Sequence, residues 1–218
     1  MAKFLQNTLI AGMLSLSAIS AAQATVILGN FSGNTTTIGT TLSATSNTKA
    51  VGLTTGSADL RFDSLQAYMA NTSGASHTFT GGIYSNNAGN PGSLLAAFAP
   101  ISMDNGTPST LLTFTANYTL SANTSYWFRL SSDIGNVAGM YWNAYSPLSA
   151  LTAVSGITSL GYRFSTNAGS SWASSNTFNA VQINATEVTV TAPVPETETL
   201  LLFIPAVVGL LATKRRKA

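Results

Sequence analysis

Between residues 25 and 193 the chain runs in short apolar segments broken by clusters of Gly, Asn, Ser and Pro. Where a period can be read, it is two. Tyr126, Phe128 and Leu130 alternate with Trp127, Arg129 and Ser131, and Leu60, Phe62 and Ser64 alternate with Arg61, Asp63 and Leu65. That spacing sends successive side chains to opposite faces of a β-strand. It predicts strands over Val26–Phe31, Ala50–Thr54, Leu60–Met69, Thr78–Tyr84, Leu94–Ala99, Leu111–Phe114, Ser125–Leu130, Ala138–Asn143, Leu160–Phe164, Phe178–Ile183 and Val188–Thr191. Strands at intervals of about 12 residues, joined by turn formers, predict one all-β domain, an antiparallel β-sandwich of jelly-roll type. No helical period and no strict repeat interrupts this body.

Both ends break the pattern. Residues 1–24 carry Lys3, an apolar run from Leu9 to Ala18, and the small-x-small triplet Ala22-Gln23-Ala24. Those three features in that order are the layout of a secretory signal cut before Thr25. At the other end, residues 194–218 contain the polar break Val194-Pro195-Glu196-Thr197-Glu198. The uncharged run Leu200–Ala212 follows, and then Lys214, Arg215, Arg216 and Lys217. A helix over that run is about 20 Å long against a hydrocarbon core of about 30 Å. It suits transient membrane retention, with the cations left on the inner side, better than a permanent anchor.

Composition sharpens the picture. Charged residues make up 7% of the chain and Ser, Thr and Asn about a third, while 45% is hydrophobic. A chain with that much apolar content folds in spite of its low charge. With no Cys and a single His, it has no disulfide framework, no thiolate nucleophile and no poly-His metal centre. The formal charge of +2 belongs to the ends. The body holds Lys49, Arg61, Arg129 and Arg163 against Asp59, Asp63, Asp104, Asp133 and Glu187. Four scattered cations do not make a nucleic-acid surface.

The tail VPETETLLLFIPAVVGLLATKRRKA resembles the PEP-CTERM sorting signal of exopolysaccharide-producing Gram-negative bacteria, with Pro195 and Glu196 matching and Thr197 standing where that family usually has Pro. Three stretches of the body, Ile83–Leu95, Leu120–Phe128 and Gly161–Trp172, together resemble the choice-of-anchor R domains. These resemblances imply export, processing of the tail by an exosortase, and residence at the cell surface or in an exopolysaccharide or biofilm matrix. The implied partners are the export machinery, the exosortase and the exopolysaccharide. No catalytic activity and no cofactor is implied.

The residues themselves offer little for catalysis. His77 is the only base for a Ser–His–Asp arrangement, and no Gly-x-Ser-x-Gly elbow accompanies it. Glycoside hydrolysis needs two carboxyls roughly 5–9.5 Å apart. Asp59 and Asp63 would lie roughly 13 Å apart along one strand. Asp104-Asn105-Gly106 and Asp133-Ile134-Gly135-Asn136 are acidic turns, too poor in carboxylates for a strong calcium site. The aromatics fit glycan contact better, because sugars stack on exposed rings amid amides and hydroxyls. Trp127 shares a strand face with Arg129, Trp142 sits in a dense cluster with Tyr141 and Tyr145, and Trp172 lies in a Ser-rich loop. The competing role for all three is core filling, strongest for Trp127 and Trp142. The sequence thus predicts a non-enzymatic exported protein with weak glycan binding. The alternatives are a secreted hydrolase with an unrecognised carboxylate site and a purely structural or adhesive protein.

Overall fold

A computed structural model describes residues 23–31, 35–135, 139–146 and 149–189. The expected signal run, the sorting motif Val194–Thr197, the apolar tail and the basic end fall outside the described residues. The chain divides into two compact units, residues 1–188 and 189–218, and every described strand belongs to the first. Thr25, the residue after the expected cut, opens the first strand, and Gln23 and Ala24 are exposed.

The described residues form fifteen strands and no helix. They are β1 (Thr25–Gly29), β2 (Thr35–Thr41), β3 (Thr48–Thr54), β4 (Leu60–Asn71), β5 (His77–Asn87), β6 (Asn90–Ala97), β7 (Ile101–Met103), β8 (Thr107–Phe114), β9 (Thr119–Leu120), β10 (Ser125–Ser132), β11 (Met140–Ser146), β12 (Thr152–Ala153), β13 (Thr158–Ser165), β14 (Ala173–Ser175) and β15 (Val181–Glu187). The first sheet runs β12-β1-β15-β4-β11-β2, with β8 and β9 on the other edge of β4. The second runs β14-β13-β3-β10-β5-β6, with β7 also on β5. Every pairing is antiparallel. The fold is therefore all-β, two antiparallel sheets packed face to face.

Aromatic rings tie the sheets together. Phe62 of β4 lies 5.5 Å from Phe128 of β10 and 5.7 Å from Phe98, and Phe98 lies 5.9 Å from Phe114 of β8. At the other end Trp142 of β11 meets Tyr162 of β13 edge-on at 6.1 Å. Buried rings supply large apolar area and specific geometry at once. Among the buried polar groups, Asn30 donates to Asn179 O at 3.0 Å and accepts from Val181 N at 2.9 Å, clasping β1 to β15.

The alternation in β10 holds: Tyr126, Phe128 and Leu130 are buried in the core. The alternation in β4 changes phase. Leu60 and Phe62 face the core, and so do Leu65, Ala67 and Met69. The switch comes at a bulge, where Ser64 pairs Asn184 but the next pair is Phe62 with Ala185. The extra residue, Asp63, shifts the inward set by one place. Its carboxylate accepts from Arg61 Nε at 3.1 Å and from Thr186 Oγ1 at 2.6 Å.

Two strand expectations need correction. In place of separate strands over Phe178–Ile183 and Val188–Thr191, one strand runs Val181–Glu187; Val188 and Thr189 lie beyond it, and residues 190 and 191 fall outside the described residues. Pairing with β4 along its length overrides the turn preference of Asn184. Five strands, β2, β7, β9, β12 and β14, carry no alternation readable in the sequence. Two of them, β9 and β12, are two residues long.

Candidate functional site

The outer face of the second sheet carries two loops built alike. β5 turns into β6 through Asn87-Ala88-Gly89-Asn90, with Ala88 at φ 49° and Gly89 at φ 81°. Consecutive left-handed residues make the tight hairpin whose twist matches its strands. Between β13 and β14 lies Asn167-Ala168-Gly169-Ser170, with Ala168 at φ 55° and Gly169 at φ 91°. Ser170 N–H donates to Asn167 O at 3.1 Å to close that turn. Ser165 Oγ accepts from Gly169 N at 2.8 Å, and Asn167 Oδ1 accepts from Ser171 N at 2.9 Å. Self-bonded Asn and Ser side chains hold such a loop in one shape. The two Asn-Ala-Gly triplets are the sequence signal that could have pointed to this pair of loops.

Between these loops lies a groove of about 810 Å³. Its lining includes Asn86, Asn87, Asn90, Ser93, Ser171 and Trp172, and no ionisable side chain. Amides and hydroxyls donate and accept without carrying charge. Trp172 is half-buried, and its buried Nε1–H has no acceptor among the described residues.

The three tryptophans thus part company. Trp127 is completely buried, although its strand position points it outward. Its ring lies on Gly52, where a Cβ would come within 2.7 Å of ring carbons. Arg163 covers it at 5.5 Å from the ring centre, and its Nε1 donates to Asn86 Oδ1 at 3.0 Å. Trp142 is also completely buried, its Nε1 donating to Ala180 O at 2.9 Å. Burial takes both out of reach of a glycan and makes them core residues, so Trp172 alone of the three meets solvent. A second aromatic cluster joins Phe31, Tyr68 and Tyr145 at 5.4 and 6.3 Å. Its rings meet tilted and edge-on, so it does not form a flat platform.

The other chemical candidates are held apart. His77 Nδ1 lies 3.0 Å from Asp133 Oδ1, which also accepts from Thr78 N at 3.0 Å. Burial alone would raise the Asp133 carboxyl, but the Thr78 and His77 hydrogen bonds bring it below the usual carboxylate range. No serine hydroxyl is bonded to the His77 ring among the described residues, so the pair is not completed into a triad. Asp104 accepts from Ser76 Oγ at 2.9 Å, and Asp59 accepts from Ala122 N at 2.7 Å. Among the described residues no three His, Asp or Glu gather around a common point. Asn71, which opens the triplet Asn71-Thr72-Ser73, is completely buried, donating to Met103 O and Ala75 O.

Fold and groove define the class: an antiparallel two-sheet protein that carries a polar, loop-walled groove on one sheet's outer face. No protein-family model and no curated protein matches the chain.

Proposed function

We propose that this is an exported protein of a Gram-negative bacterial surface or extracellular matrix, and that its groove weakly holds a length of exopolysaccharide. In this reading the sandwich is jelly-roll-like and stands between two processed ends. The signal is cut after Ala24, and the tail is held briefly in the inner membrane and processed by an exosortase at Val194–Thr197.

The observation that carries the binding half is the groove between the twin turns. It is walled by Trp172 and lined by uncharged amides and hydroxyls, the chemistry that recognises sugar hydroxyls. A hydrolytic role would call on a carboxyl pair at the groove, and its lining offers none. The export half rests on the order of segments at the two ends.

Two measurements test the reading. Mass spectrometry of the secreted form should find a start at Thr25 and loss of Lys214–Lys217, whereas a mature chain ending at Ala218 would refute tail processing. Retention of the purified protein on extracted matrix polysaccharide should fall severalfold in Trp172→Ala with the melting temperature little changed. Equal retention of both proteins would remove the groove from the function.

A further inference from the structure

Under the groove walls the structure places two guanidiniums that form no ion pair among the described residues. Arg129 is sandwiched between Tyr84, 5.5 Å from its ring centre, and Trp172, at 5.8 Å. Its Nε donates to Thr48 Oγ1 at 2.8 Å and its Nη2 to Ala168 O at 2.9 Å. Its Nη1 has no acceptor among the described residues, and a Cβ at Gly169 would lie 2.8 Å from it. Arg163 donates to Gly89 O and Asn90 Oδ1, both at 3.0 Å, and to Ser174 Oγ at 2.9 Å. Among the described residues the basic side chains that contact a carboxylate are Arg61, on Asp63, and His77, on Asp133, so neither Arg129 nor Arg163 has a carboxylate partner.

Resting on the binding reading above, we propose that the polysaccharide held in the groove is acidic, and that Arg129 selects it by pairing with a sugar carboxylate. The aromatic faces point the same way. The guanidinium of Arg163 already lies over Trp127, and that of Arg129 over one face of Trp172. Because Arg129 lies over the Trp172 ring, the charge nearest a sugar held against that ring is a guanidinium. The Nη1 of Arg129, the one guanidinium nitrogen without an acceptor among the described residues, is left to donate a charge-assisted hydrogen bond to a carboxylate. Arg129 is half-buried, where such a pair is less screened than in open water.

Arg129 also lines a second hollow of about 370 Å³, with Tyr84, Ser131 and Asp133. Asp133 is the one carboxylate there, and its Oδ1 already accepts from His77 and Thr78. Arg129 thus lies against Trp172 of the groove wall and lines a polar depression of its own. Two arginines are too few for a nucleic-acid backbone. They suit a polymer whose charges are spaced by sugar rings.

The test is affinity electrophoresis of the full chain in gels containing polygalacturonate, the same polymer fully methyl-esterified, dextran, or polyglutamate. Polygalacturonate should retard the protein with an apparent Kd at least tenfold below that of the ester. The difference should shrink as salt rises. Arg129→Gln should bring acid and ester together, and Arg129→Lys should restore part of the gap. Equal retardation by acid and ester overturns the acidic assignment and leaves glycan binding standing. Retardation by polyglutamate as strong as by polygalacturonate overturns it as well, reducing the site to general anion attraction. Retardation by no polysaccharide overturns both readings. The acid-against-ester comparison on the unaltered protein decides the question even where Arg129→Gln fails to fold.

Discussion

Lys49 gives the most direct test of the packing. The sequence offers it as one of four scattered cations in the body, yet its side chain is completely buried between the sheets. Its Nζ donates to Thr177 O at 2.6 Å and Thr40 Oγ1 at 3.2 Å, and lies 4.9 Å from the centre of the Tyr162 ring. It pairs with no carboxylate among the described residues. Burial lowers its pKa from the ordinary 10.5 to about 7. Since each pH unit of displacement is worth about 1.4 kcal/mol, the charged form costs the folded state on the order of 5 kcal/mol. The sign follows from proton counting. Below pH 7 both states carry the proton and the full cost is present. Between about 7 and 10.5 the unfolded chain keeps a proton that the folded one has lost, so stability rises with pH. Denaturant unfolding from pH 7 to 9 should show a gain of roughly 1.4 kcal/mol per unit in the unaltered protein. Lys49→Met keeps the volume and removes the charge. It leaves Thr177 O short of a donor, a loss of about 1–3 kcal/mol, but should still be more stable at pH 7 and should lose the slope over this range. A flat profile in the unaltered protein, or an unchanged slope in Lys49→Met, would refute a buried, uncompensated lysine.

Other consequences are equally accessible. Phe128→Ala removes a ring that packs on Phe62 across the sheets and should cost about 3–5 kcal/mol in chemical denaturation. Gly52→Ala drives a methyl into the Trp127 ring and should cost about 1–3 kcal/mol, with a change in tryptophan fluorescence as the ring shifts. Ala88→Gly and Ala168→Gly relieve a left-handed alanine in each groove wall. Each should stabilise by about 1 kcal/mol, read as a rise of roughly 2–4 °C in melting temperature.

Much of the sheet structure was legible because a period of two is a local property. β3, β4, β5 and β10 could be placed from their own residues, and the inward set Tyr126, Phe128 and Leu130 followed from alternation alone. β2 was not legible, since Thr35-Thr36-Thr37-Ile38-Gly39-Thr40-Thr41 has no apolar alternation and is a strand by pairing with β11. The phase change in β4 was hidden for the same reason. The bulge at Asp63 exists only in relation to β15. For the site, sequence ranked Trp172 as the most accessible tryptophan because it lies outside a predicted strand. It also counted Trp127 as a glycan candidate, because alternation says which way a side chain points and not what covers it.

What the sequence determined by itself is local or additive. It set the period-two segments, the turns between them, the near-neutral body and the distinct segments at the two ends. What only tertiary structure decided depends on residues far apart in the chain. Two Asn-Ala-Gly turns some eighty positions apart become facing walls because β5 and β13 lie in one sheet, separated by β3 and β10. Arg163 caps Trp127, Arg129 slots between Tyr84 and Trp172, and Lys49 goes inside, because each environment is assembled from several strands at once. Burial, pairing and charge compensation are sums over neighbours in space, and only the sheet topology says who those neighbours are.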